Sequence, residues 1–224
     1  LNLNFTNWRH ITKLDPDKNN TKEVIQTVLE SGTDAIMVSG TQRITKRKVV
    51  KLINSLKGYG IPIVLEPVKA EAVTFDVDYI FVPSVINSRD RWWIIEAHVN
   101  WISRIKKIAP WEKIISEAYI VLNPKSAVAK ATKSIVNLTL NQIVSYAIFA
   151  DRFLNFPIVY IEYSGVYGDP NVVKAVKKEL RKAKLFYGGG INSKEKAEEM
   201  AKYATIVVGN VVYEDLNKFK ETII

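Results

Sequence analysis

A chain of 224 residues, 47% hydrophobic and 25% charged, is long enough to fill one large core, and α/β barrels of this size form single domains. The absence of cysteine excludes disulfide frameworks, thiolate metal centres and cysteine nucleophiles. A net charge of +9 attracts anionic partners in general: nucleic acid, lipid headgroups or phosphorylated substrates. The Lys and Arg are dispersed, however, and the 10 Tyr and 5 Trp do not interleave with them as on a single-strand platform, so a solvated basic surface is the favoured reading. No apolar run approaches the roughly 20 residues that span a bilayer, and no signal-peptide pattern precedes "WRHITKLDPDK". The expectation is a cytoplasmic protein.

Eight short apolar runs follow one another along the chain. They are "HITKLD" (10–15), "AIMVSG" (35–40), "PIVLEP" (62–67), "YIFVPS" (79–84), "AYIVLN" (118–123), "IVYIEYSG" (158–165), "LFYGGG" (185–190) and "TIVVGN" (205–210). Continuous runs of four or five β-formers suit parallel strands covered on both faces. Helical spacing fills most of the gaps. In "NTKEVIQTVLESG" (20–32), Val24, Ile25, Val28 and Leu29 share one face, and "KRKVVKLINSLKGYG" (46–60), Val173/Val176/Leu180 and "SKEKAEEMAKYA" (193–204) behave alike. Strand–helix alternation repeated eight times predicts a (β/α)₈ barrel in one domain, residues 1–224; an open doubly wound sheet is the alternative.

Two connections depart from the pattern. Only "VKAEAVTFDVD" (68–78) joins strands three and four, so the third helix is predicted to be missing or replaced by an extended segment. Strands four and five are 33 residues apart (85–117), and there Trp93, Ala97, Asn100 and Trp101 recur on one helical face. Such a stripe is either core or the lining for an apolar ligand.

Function in such barrels sits at the C-terminal ends of the strands. Those ends carry Lys13 and Asp15; Ser39, Gly40 and Thr41; Glu66; Pro83 and Ser84; Asn123; Glu162, Tyr163, Ser164 and Gly165; Gly188, Gly189 and Gly190; Gly209 and Asn210. Glycine turns at strands seven and eight, each opening a helix, free backbone N–H groups for a phosphate, with plain tight-turn chemistry as the rival. "KLDPD" presents Asp15 as an oxygen ligand for Mg²⁺ or as a turn residue, with the choice even, and Asp17 as a cap or Asx-turn residue. His10 and His98 lack partners at metal-ligand spacing, which argues against zinc. Glu162, an acid in an apolar strand between tyrosines, is read as a general base facing a substrate hydroxyl; the rival is a structural partner for Lys13.

The segments "WRHITKLDPDK", "SGTDAIMVSGTQ", "YIVLNPKSAVAK", "IVYIEYSGVYGDP", "LFYGGGI" and "IVVGNVVYE" together resemble the geranylgeranylglyceryl phosphate synthases of archaea and the similar PcrB proteins of bacteria. The resemblance runs from Trp8 to Tyr213. It implies a modified TIM barrel lacking its third helix and Mg²⁺-dependent transfer of a geranylgeranyl group from geranylgeranyl diphosphate to the C3 hydroxyl of sn-glycerol 1-phosphate, the first ether bond of archaeal lipids. By motif, Lys13, the segment Tyr160, Ile161, Glu162, Tyr163, Ser164, Gly165, and Gly190, Gly209 and Asn210 would hold glycerol 1-phosphate. Asp15 and Thr41 would attend Mg²⁺ and the diphosphate, and Glu162 would take or orient the hydroxyl proton. Trp101 matches the tryptophan that closes the prenyl groove at C20, with Trp92 or Trp93 as neighbours in register. Dimers occur among relatives, so a homodimer and peripheral membrane contact are compatible with the family, and Trp111 is either interfacial or packed.

Three other readings stay open. A bacterial-type heptaprenylglyceryl phosphate synthase would use a longer donor. A phosphosugar isomerase or a Schiff-base aldolase would use the same phosphate cradle, with Lys13 as the only placed lysine. A non-enzymatic basic scaffold for nucleic acid or membrane would leave the strand-end constellation unexplained.

Overall fold

In the computed structural model, which describes residues 4–40 and 42–224, eight parallel strands close into a barrel in sequence order. They are β1 (His10–Leu14), β2 (Ala35–Val38), β3 (Ile63–Leu65), β4 (Tyr79–Val85), β5 (Ile114–Val121), β6 (Ile158–Glu162), β7 (Lys184–Gly188) and β8 (Thr205–Val208), with β8 pairing back onto β1. Around them lie α1 (Lys22–Glu30), α2 (Lys46–Leu56), α3 (Ala97–Ile105), α4 (Ala127–Thr132), α5 (Leu140–Ile148), α6 (Pro170–Glu179), α7 (Lys194–Ala201), α8 (Val211–Glu214) and α9 (Leu216–Glu221). Helix starts follow the local chemistry: Thr21, Thr45, Ser126, Thr139 and Ser193 each cap a backbone N–H, and Asp169 does so ahead of Pro170.

Side chains alternate between two cores. Leu14, Ile36, Val38, Leu65, Ile80, Ala118, Ile120, Val159 and Ile161 point outward into the layer beneath the helices. Ile11, Met37, Val64, Phe81, Tyr119, Val121, Tyr160 and Phe186 fill the barrel itself. Phe5, Trp8, Tyr79 and Phe81 close the N-terminal end with edge-on and tilted ring contacts, centroids 5.5–6.3 Å apart. With that end plugged, the opposite mouth is left for chemistry.

The predicted gap in the helical ring is present. Between β3 and β4 the chain makes only the 3₁₀ turn Ala70–Ala72. Two boundaries differ from expectation. β5 begins at Ile114 rather than 118, because Ile114–Glu117 continue the ladder with Ile80–Pro83. α6 ends at Glu179, one residue short of Leu180, and residues 181–183 pass through a bend into β7. Asp17 caps nothing: Thr21 holds that position, and Asp17 pairs with Lys48 and Arg43.

His10 ties the C-terminus to the barrel. Its Nδ1 meets Thr33 Oγ1 at 2.9 Å and its Nε2 meets Thr222 Oγ1 at 3.2 Å, all three buried. Burial drives the imidazole pKa down to about 4, against the pull of Asp34. The folded chain therefore resists protonation between pH 4 and the ordinary value of 6.5, while the unfolded chain accepts it. Stability from this site is complete above pH 6.5 and falls as the pH drops towards 4, by about 3 kcal/mol. Urea midpoints from pH 7 to 4 should show that slope in the wild type and a flatter one in His10→Asn.

Candidate active site

The strand ends at the open mouth bring two carboxylates, Glu66 and Glu162, towards the Lys13 ammonium. Lys13, on β1, extends to Glu66, which follows β3, with Nζ 2.9 Å from Oε2. Ser39 Oγ donates to the same Oε2, and the Tyr119 hydroxyl donates to Oε1. Burial opposes the charge on Glu66, but Lys13 and these donors outweigh it and hold the carboxyl below its ordinary range. The same balance, burial against Glu66 and Glu162, raises Lys13. Tyr119 stacks on Tyr160 with centroids 4.3 Å apart, which fixes the floor beneath the pair.

Glu162 ends β6 and is 6% exposed. Ser164 gives its Oε1 both the backbone N–H and the hydroxyl, the latter at 2.6 Å. Ser164 reaches back this way because its φ is +24°, a strained value for a side-chain-bearing residue, held by Asn123 Nδ2 donating to its carbonyl at 3.0 Å. Among the described residues no donor reaches Oε2. Burial lifts the Glu162 pKa above the ordinary carboxylate value, opposed by Lys13 and Ser164. A carboxylate with one oxygen anchored, one free and an enhanced proton affinity is a competent general base.

Glu162 stands where two cavities meet. Both are lined by Lys13, Ser39, Gly40, Glu162 and Ser164. The first, about 450 Å³, continues past Asp15, Gly165, Gly188–Gly190, Gly209 and Asn210, with Lys18 and Lys196 at its edge. Gly190 takes φ +56°, and a side chain there would run into the backbone of Tyr167. The position is therefore reserved for glycine, and its bare backbone faces the cavity beside the start of α7. Such a surface suits a phosphate.

The second cavity, about 440 Å³, is greasy. One wall is Pro67–Val73, the segment that replaces the third helix; the other is Trp92, Trp93, Ala97, His98, Asn100 and Trp101. Leaving out a helix thus opens a groove down the barrel side. The salt bridge from Arg104 Nη1 to Glu71 Oε1, 3.5 Å, spans its two walls. Trp101 is both core and lining, so the two readings of the stripe coincide.

The residues carried over by motif divide. Lys13, Asp15, Tyr160, Glu162, Ser164, Gly165, Gly190, Gly209 and Asn210 line the polar cavity, and Trp101 the apolar one. Two side chains do not join them, a correction to the expectation. Ile161 points outward into the helix-facing core, as alternation with Tyr160 and Glu162 requires. Tyr163 packs against Tyr187 and under Gly168, leaving only its main chain near the mouth. Thr41 lies outside the described residues. Lys13's structural partner is Glu66, not Glu162. That charged pairing also removes the Schiff-base reading, since a raised lysine pKa is the opposite of what an amine nucleophile needs.

Two residues of β5 escaped sequence reasoning. Tyr119 lies within the run 118–123 but not at its end, and Glu117 lies just before that run. Glu117 is fully buried inside the barrel with neither carboxyl oxygen hydrogen-bonded, and burial together with Glu66 pushes its pKa far up, which favours the uncharged acid. The alternation Ile115, Glu117, Tyr119, Val121 is the signal that could have found both.

For Mg²⁺, Asp15 is the fitting donor. Its Oδ1 takes the Asp17 N–H at 2.8 Å, and Gly40 presses against the carboxyl so closely that a Cβ would collide with it. Among the described residues no group of three or more His, Cys, Asp or Glu could cage a metal. One protein carboxylate plus phosphate and water oxygens is a donor set Mg²⁺ accepts.

A barrel mouth with a glycine-lined phosphate cavity and an acid at its junction with a lipophilic groove defines a class: enzymes that join a phosphorylated alcohol to an apolar group. The sequence comparisons narrow this. The PcrB family pattern matches residues 3–224, and the chain belongs to that family; it is an enzyme, a prenyltransferase. It is 50% identical to the geranylgeranylglyceryl phosphate synthase of Methanocella arvoryzae, over 99% of this chain and 98% of that protein. It is 44% identical to the heptaprenylglyceryl phosphate synthase of Lysinibacillus sphaericus, over 99% and 97%. The crystal structure of (S)-3-O-geranylgeranylglyceryl phosphate synthase from Thermoplasma acidophilum, in complex with sn-glycerol-1-phosphate, superposes with a TM-score of 0.82 at 28% identity, covering 99% of this chain and 96% of that one. Similarity to an aldolase (TM-score 0.59, 14% identity) extends to the barrel alone.

Proposed function

We propose that this enzyme transfers a geranylgeranyl group from geranylgeranyl diphosphate to the C3 hydroxyl of sn-glycerol 1-phosphate. The observation that carries the reading is Glu162, shared by a phosphate-type cavity and an apolar groove. The acceptor's phosphate lies against Gly188–Gly190, Gly209 and Asn210, and its hydroxyl turns towards Glu162. The donor's tail lies between Pro67–Val73 and the Trp-lined helix, so that C1 arrives at the junction. The bond from C1 to the diphosphate oxygen breaks, the bond from C1 to the glycerol oxygen forms, and the hydroxyl proton passes to Glu162 Oε2 while Ser164 holds Oε1. Mg²⁺ bound through Asp15 would supply charge neutralisation for the leaving diphosphate. Burial of the junction keeps competing water from the electrophilic carbon.

Incubation with radiolabelled sn-glycerol 1-phosphate, Mg²⁺ and donors from C15 to C35 tests the reading. An organic-extractable ether formed fastest with the C20 donor supports it; no product with any donor refutes it. A preference for C35 would instead place the chain with the heptaprenyl enzymes. Chain length is set by Trp101, about 13 Å along the helix axis from Trp92. Trp101→Ala should raise kcat/KM for C35 relative to C20 by about tenfold or more, and an unchanged ratio would remove Trp101 from that role.

A further inference from the structure

The helix that walls the groove is apolar on its outer face as well. Trp92, Ile95, Val99 and Ile102 recur at intervals of three and four, which puts them on one side of the turn Trp92–Glu96 and α3. Ile95 is 52% and Val99 59% exposed, while Trp101 on the opposite side is buried. Single exposed apolar residues need no explanation, but a row of four on one helix does. The row runs beside the apolar cavity, and Trp92 belongs to both. Its surroundings are basic: residues 89–107 hold Arg89, Arg91, Arg104, Lys106 and Lys107 against Asp90 and Glu96, and the facing wall adds Lys69 and Glu71. Arg91 pairs with Glu96 and Arg104 with Glu71, so the excess positive charge rests on Arg89, Lys106, Lys107 and Lys69.

We propose that this face is a membrane-docking surface: Trp92, Ile95, Val99 and Ile102 enter the headgroup region of an anionic bilayer, with Arg89, Lys69, Lys106 and Lys107 meeting its phosphates. An interfacial helix needs an apolar stripe, flanking Lys and Arg, and no great length, and all three are met. Among the described residues no helix is long and apolar enough to cross a membrane, so attachment is peripheral. A second copy of the chain would be repelled by the like charge of its own basic rim, whereas anionic lipid is complementary to it. The use of the surface rests on the donor assignment above: a prenyl diphosphate dissolved in the bilayer would slide by its tail from the lipid into the groove without crossing water.

Flotation with vesicles, without substrates, tests the surface apart from the reaction. The wild type should co-float with phosphatidylglycerol vesicles at least about tenfold more than with phosphatidylcholine, and 1 M salt should weaken that binding. Ile95→Ser/Val99→Ser should lose about tenfold or more of it. The same variant should turn over detergent-dispersed donor within about twofold of wild type, since neither residue lines a cavity. Failure of the wild type to bind anionic vesicles, or equal binding by the variant, overturns the proposal. So does a change of sedimentation mass in the variant, which would mean that another copy covers the face. Vesicle binding without any prenyl transfer would retain the surface and discard the donor assignment instead.

Discussion

Glu162→Gln should lower kcat by about 10²–10⁴ while the protein stays folded. The side chain keeps its shape, and Ser164 can still donate to the amide oxygen, so the acceptor pocket is preserved. What disappears is the carboxylate oxygen at the junction assigned to take the hydroxyl proton. Stability should hold or rise, because a neutral amide replaces a carboxylate that burial disfavours and Glu66 repels. The pH profile adds a second readout. The Glu162 pKa is raised, so the wild-type rate should climb as the acid deprotonates, through a pH above the usual carboxylate range. The variant should lack that limb. Full activity in Glu162→Gln, with the limb intact, would take the residue out of the chemistry.

Lys13→Met should destabilise the protein by about 3 kcal/mol and abolish turnover. Lys13 is the cation to which Glu66 is paired, and without it the barrel mouth holds uncompensated negative charge beside Glu117 and Glu162. Adding Glu66→Gln should restore most of the lost stability, because both charges then go together. Activity should not return, because the lysine also lines the cavity assigned to the phosphate. Urea titration of the two single variants and the double variant gives the coupling directly. Independent, additive losses would mean that the pair is incidental.

The architecture was legible because parallel strands are written as continuous β-branched runs and their ends as polar or glycine residues. Those two signals located eight strands and most of the residues around the polar cavity. The short 68–78 connection also forecast the missing helix, and with it the groove. What stayed hidden depends on cross-strand neighbours that no local pattern encodes. That Lys13 would choose Glu66 over Glu162 follows from β3 lying two strands from β1 around the barrel while β6 lies three away, not from any spacing along the chain. Glu117 was missed for a different reason: an acid at the start of a strand reads as its solvated edge, yet four further residues of ladder carry it into the barrel. Ile161 and Tyr163 were carried over as part of a motif, and period-two alternation could have separated them from Tyr160 and Glu162 beforehand.

The arrangement of acceptor and base is most directly tested by the crystal structure of this chain with sn-glycerol 1-phosphate bound. The phosphate should lie against the main chain of Gly188–Gly190, Gly209 and Asn210, with the C3 hydroxyl within hydrogen-bond reach of Glu162 Oε2 and facing the Trp-lined groove. A phosphate bound elsewhere, or a hydroxyl turned away from Glu162, would contradict the account.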